Sequence, residues 1–175
     1  MLVNHNDQKG IGLIEVLVAL VILALGVLGF AALQLRALDA AQEATEQTVA
    51  MSTARDLAER MRINRGALEN YKTAINTKST VDTCVGVNNL TKPKKIALPK
   101  CNEGNFAQQD VGEVLAKATN NGQTIIVEDC VASELNCIYV AWGKTVISVD
   151  DLSACIDMTT GTYVVNSKCL VMEAF

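Results

Sequence analysis

The hydrophobic and polar positions divide the chain into three regimes. Residues Met1 to Gly10 are polar. From Ile11 to Leu35 the chain is apolar almost without a break, and Glu15 is the one charged residue within that run. At about 1.5 Å per residue in a helix, the run is long enough to cross a bilayer core of roughly 30 Å. An ordinary signal peptide has a hydrophobic region of about 7–15 residues, so it does not account for this one. From Leu35 to Arg65 there is neither Gly nor Pro, and the stretch is rich in Ala, Glu, Gln and Leu. Ala41, Ala44, Thr48, Met51, Ala54, Ala58 and Met61 recur at steps of three and four, which marks one apolar helix face. Asp39, Glu43, Glu46, Asp56 and Glu59 lie mostly off that face. The pattern predicts one helix from Ile11 to about Asn64, roughly 80 Å long. Gly26 and Gly29 weaken it by about 1 kcal/mol each relative to Ala, and they suit either close helix packing or local unwinding.

Beyond Gly66 the periodicity breaks. Residues 66 to about 105 are rich in Asn, Thr, Lys and Gly with two prolines, and read as a long loop region. Asn105 is a candidate cap for a helix over Phe106–Thr119, with Val111, Val114, Leu115 and Ala118 on one face and Asn121-Gly122 as its stop. Thr124–Glu128 and Cys137–Trp142 read as strands joined by a hairpin, and Gly143-Lys144 as a turn. Thr145–Val149, Gly161–Val165 and Cys169–Phe175 are expected to form later strands. Trp142 reads as a core anchor.

Charge and composition exclude several functions. The formal net charge is −4, and Asp7 and Lys9 cancel. A mildly acidic chain lacks the basic surface that a phosphate backbone requires, so no nucleic acid is expected as a partner. Lys92-Pro93-Lys94-Lys95 reads as a solvated loop, and little weight falls on the glycosylation triplet Asn89-Leu90-Thr91. The sole histidine, His5, lies in the polar N-terminal stretch, so cleavage of that stretch would remove the commonest general base and metal ligand. No Gly-rich phosphate loop, nucleophile–base pair or cofactor site stands out, so the chain does not read as an enzyme. Asp150, Asp151 and Asp157 match no calcium motif and read as an acidic loop.

The six cysteines, Cys84, Cys101, Cys130, Cys137, Cys155 and Cys169, all follow the apolar run. An even number confined to one region suits an oxidising compartment, which places the C-terminal part outside the cytoplasm. Zinc spacing is absent, as there is no Cys-x-x-Cys pair. The preferred pairing is Cys84–Cys101, Cys130–Cys137 and Cys155–Cys169, because each pair closes a short local loop.

Glu15 is the most informative residue. A carboxylate in an apolar span costs a few kcal/mol near the helix centre, and such residues generally have a partner. A cut after Gly10 would create an α-amino group on Ile11, one helical turn from Glu15, able to pair with it in the same chain or a neighbour. The stretch Lys9-Gly10 followed by Ile11-Gly12-Leu13-Ile14-Glu15-Val16-Leu17-Val18-Ala19 resembles the class III signal of type IV pilins and of type II secretion pseudopilins. Phenylalanine is commoner where Ile11 stands. Gly26–Gln34 and Ala58-Glu-Arg-Met-Arg-Ile-Asn-Arg65 further resemble the PilV family of minor pilins, the type IV pilus modification proteins. This likeness is strong over about the first 65 residues and loose beyond.

The resemblance implies an α+β pilin fold, in which a long N-terminal helix packs its outer half on an antiparallel sheet with disulfide-closed loops. It implies a leader over residues 1–10, a membrane-spanning half-helix over 11–35, an amphipathic half over 36–65 and a periplasmic globular domain over 66–175. It also implies a prepilin peptidase that cuts between Gly10 and Ile11 and methylates Ile11, and an assembly salt bridge made by Glu15. The implied partners are other minor pilins, the major pilin and the inner-membrane assembly platform. The expected role is that of a minor type IV pilin helping to initiate pili, first in the inner membrane and then at or near the filament tip. A minor pseudopilin of type II secretion is the alternative within the superfamily, and a single-span periplasmic enzyme or sensor the alternative outside it.

Overall fold

A computed structural model describes residues 11–81, 84, 101–131 and 133–174. Residues 1–10, which include His5 and Gly10 and for which a leader is expected, lie outside the described residues, as do Asn89-Leu90-Thr91 and Lys92–Lys95. The chain divides into two units, Met1–Ala44 and Thr45–Phe175. Helix α1, Ile11–Ile63, contains the boundary between them. In the first unit the described residues are helical, and Gly26 and Gly29 do not interrupt the helix.

The second unit adds a 3-10 turn at Arg65–Ala67, helix α2 at Leu68–Thr77 and helix α3 at Glu103–Asn120. Three strands follow, β1 at Gln123–Asp129, β2 at Asn136–Trp142 and β3 at Cys169–Glu173. They form an antiparallel sheet in the order β1-β2-β3. The fold is therefore α+β. Alternate residues of a strand point to opposite faces, and here both faces are buried. On one face Ile125, Val127, Ile138, Val140, Trp142 and Leu170 pack with α1, α2 and α3. On the other, Ile126, Tyr139 and Ala141 meet Ile147, Leu152, Cys155 and Ile156 from the segment between β2 and β3. This double burial explains why Cys137–Trp142 reads as an unbroken apolar run: each of its residues is buried.

Four expectations are corrected. The loop read over 66–105 contains α2, which buries only Tyr71, Ala74 and Ile75 and ends on Lys78 in the left-handed region (φ 55°), with no Gly or Pro to mark the stop. The cap of α3 is Asn102 and not Asn105. The Asn102 backbone is extended, and its side chain accepts a 2.8 Å hydrogen bond from the Asn105 N–H, relieving one of the orphan donors of the first turn. Within the second unit the buried face of α1 is Ala50, Thr53, Ala54, Leu57 and Met61, whereas Thr48 is exposed. Finally, residues 145–149 and 161–165 form no strands, and a single bridge joins Ile156 to Tyr163. Their backbone bonds locally, as in the reciprocal Ser148–Asp151 pair, while Ile147, Leu152 and Ile156 pin the segment under the sheet. Apolar anchors at irregular spacing imitate strand alternation.

Cys84 is bonded to Cys101, Cys130 to Cys137 and Cys155 to Cys169. The first bond joins Cys101, just before the α3 cap, to Cys84, which lies beyond the end of α2. The second closes the β1–β2 hairpin, and the third ties the segment under the sheet to the first residue of β3.

Candidate functional site

Helix α1 opens at Ile11, and Glu15 stands one turn further along it. In the first unit the side chains of residues 12–40 are exposed, including Leu13, Leu17, Leu20, Leu28, Phe30 and Leu33. An 18-residue window of α1 has a mean hydropathy of 3.0, and none of it is buried inside the protein. Water disfavours an apolar surface of that extent, so lipid or neighbouring helices must cover it. The helix satisfies its own backbone hydrogen bonds, as the bilayer interior demands. Glu15 is exposed and lies one helical turn beyond the first residue of α1. Among the described residues, a Cβ placed on Gly12, Gly26 or Gly29 would meet nothing within 4 Å, so none of those residues requires these glycines.

The second notable cluster lies at the far end of α1. The Arg60 guanidinium reaches Asp56 at 3.0 Å, Asp110 at 2.6 Å and Glu113 at 2.9 Å, and Lys117 reaches Asp56 at 3.2 Å. The buried Tyr71 hydroxyl donates to Asp110 and lies 3.4 Å from the Arg60 carbonyl. Burial works against ionisation of Asp56, but the hydrogen bonds from Arg60 and Lys117 outweigh it and hold its carboxyl below the usual range. For Tyr71, burial and the bond to Asp110 both push the hydroxyl's pKa up. Met61 is buried, and Asn64 donates through Nδ2 to the Glu103 carbonyl at 2.9 Å. The Arg-Met-Arg-Ile-Asn segment therefore joins α1 to α2 and α3. Its acidic partners Asp110 and Glu113 carried no sequence signal, because they sit about 50 residues away on another helix.

Asp151 accepts from the Ser153 N–H and Asp157 from the N–H groups of Thr159 and Thr160, so both carboxylates shape turns of the loop. Trp142 is part of the main core, as its reading as an anchor requires.

Two family models match the chain. The prokaryotic N-terminal methylation motif covers residues 5–31, and type IV pilin Tt1218 covers residues 32–112. Over these residues the chain is type IV pilin-like. No curated protein and no solved structure matches it. The pilin match points to a structural protein. The methylation motif implies processing by a prepilin peptidase and assembly with other pilins, and together with the apolar helix it suggests membrane anchoring.

Proposed function

We propose that this pilin-like protein is a minor type IV pilin that helps to initiate pilus assembly and sits in or near the tip complex. The observation that supports the pilin part of this reading is that the two matches adjoin within one helix. The methylation motif ends at residue 31, the pilin match begins at residue 32, and α1 is continuous across that junction. Support for the minor, PilV-like role comes from the Gly26–Gln34 and Ala58–Arg65 segments, the second of which supplies the residues that fix α1 to the globular part. In this reading the peptidase cuts between Gly10 and Ile11 and methylates Ile11. The domain beyond the membrane is periplasmic, where its three disulfides form. The chain scaffolds and catalyses nothing; its partners are the major pilin, other minor pilins and the assembly platform of the inner membrane.

Deletion of the protein is expected to reduce surface pili while synthesis of the major subunit continues. Normal piliation with blocked export of secreted enzymes would instead establish a minor pseudopilin. Gly10 and Glu15 are expected to fail differently. A bulky residue at Gly10 blocks cleavage, and the longer precursor stays in the membrane. Glu15→Ala leaves cleavage intact but lowers incorporation into sheared pili, because the new amine then enters the apolar filament core unpaired. Breaking such a buried pair costs about 3–5 kcal/mol. Incorporation of Glu15→Ala at the wild-type level would remove the pairing while leaving the pilin assignment in place.

A further inference from the structure

Among the described residues the sheet has three strands and so two edges, and an edge with free N–H and C=O groups is a template for another strand. In the β1–β2 hairpin, Cys130 N–H donates to the Leu135 carbonyl at 2.8 Å. That fixes the alternation: Glu128, Ile126 and Thr124 bond to β2, while Val127 and Ile125 turn their backbone groups outward. Val127 is not open. Its N–H donates to Asn76 Oδ1 at 3.1 Å, and its carbonyl accepts from Asn76 Nδ2 at 2.8 Å. One side-chain amide thus supplies the same acceptor and donor that a residue of a neighbouring strand would supply. Asn76 is held in place, since Nδ2 also donates to Glu128 Oε1 at 2.8 Å. One turn earlier on α2, Lys72 pairs with Glu128 at 3.2 Å and Asp129 at 2.7 Å.

The opposite edge is treated in the same way. The bonds from Trp142 N–H to the Lys168 carbonyl and from Ala174 N–H to the Asn136 carbonyl leave Cys169, Val171 and Glu173 facing outward on β3. The Val171 N–H donates to the Tyr163 hydroxyl at 3.0 Å. Tyr163 belongs to the segment that Cys155–Cys169 anchors to the start of β3.

We propose that Asn76 and Tyr163 are edge plugs, autoinhibitory contacts that stop strands of other copies from adding to β1 and β3. A chain built to be concentrated beside its own kind needs such a barrier, because edge pairing is non-specific and would compete with association through α1. The proposal concerns the sheet alone and stands whether the filament is a pilus or a pseudopilus.

The test uses the full chain in detergent micelles, with amide hydrogen exchange followed residue by residue and oligomeric state by sedimentation. In Asn76→Ala, exchange at Val127 is expected to speed up at least tenfold in dilute samples. At high concentration it should slow again as a dimer beyond the wild-type distribution appears, because the opened edge then finds a strand. Tyr163→Phe, which removes one hydroxyl from a half-exposed ring, should do the same at Val171. Unchanged exchange at both amides would overturn the proposal. So would faster exchange with wild-type association at every concentration, since the side chains would then guard nothing. Should Asn76→Ala fail to fold, the Tyr163→Phe result decides alone.

Discussion

Arg60 is a residue whose role is visible only through its partners. One guanidinium answers carboxylates on α1 and α3, at 27% side-chain exposure, where solvent screens each pair only in part. Replacing it with Ala leaves Asp56, Asp110 and Glu113 facing one another. Hydrogen bonds to charged groups contribute about 1.5–3 kcal/mol, so Arg60→Ala is expected to lower stability by about that amount, read from the urea midpoint of Trp142 fluorescence. Asp56 adds a pH dependence. Its carboxyl titrates lower in the folded chain than in the unfolded one, so the unfolded chain takes up the proton first on acidification. The stabilisation is complete above the ordinary carboxylate range and is lost as pH falls through the depressed folded value. Asp56→Asn is therefore expected to be less stable at neutral pH and to lose less on acidification than the wild type, measured as unfolding midpoints from pH 7 downward. Lys72 has the opposite sense. The bond to Asp129 outweighs desolvation and raises its pKa, so its contribution is present below the ordinary lysine range and fades as pH rises through the raised value.

At the scale of elements, α1 carries two different surfaces. Its apolar half needs cover from outside the chain, whereas Ala50 to Met61 are covered by the chain's own α2, α3 and sheet. Leu57 is the largest aliphatic side chain of α1 that is fully buried. Leu57→Ala is expected to cost about 2–5 kcal/mol through lost transfer energy and the cavity left behind, again measured by the denaturation midpoint. The helices approach the sheet edge as well as its face: Thr53 Oγ1 lies 3.0 Å from Gln123 Oε1, and Asn76 occupies Val127. α2 is thus held by few apolar contacts and several polar ones.

For the molecule as a whole, the disulfides act where the core is thin. The segment between β2 and β3 has almost no regular structure, and Cys155–Cys169 closes it across 14 residues. In the chain-entropy account a loop of about 15 residues is worth roughly 3 kcal/mol, and each doubling adds about 0.6 kcal/mol. Removing Cys155–Cys169 is therefore expected to cost somewhat more than removing Cys130–Cys137, whose loop spans 7 residues. Unreduced peptide mapping should recover three sequence-local pairs, and a crossed pair or free thiols would refute the connectivity. Disulfides of this kind permit irregular chain on the sheet's second face without a second layer of helices.

What the sequence determined by itself is what short windows encode. The apolar run with its lone carboxylate, the helix that continues it, and the three strands each show in hydrophobic spacing within about a dozen residues, although the same spacing also suggested strands at residues 145–149 and 161–165. The methylation signal is likewise local, because it lies within residues 5–31. Tertiary structure decided the rest. α2 has too few buried positions to show a period, and Lys78 ends it without a conventional stop. The buried face of α1 turned out to include Ala50 and Leu57 because the positions of α2, α3 and the sheet, not helical spacing alone, select which stripe is covered. Arg60 meets Asp110 across 50 residues, and Asn76 meets Val127 across 51. Such contacts depend on where whole elements lie in space, and no local pattern of polar and apolar residues records that.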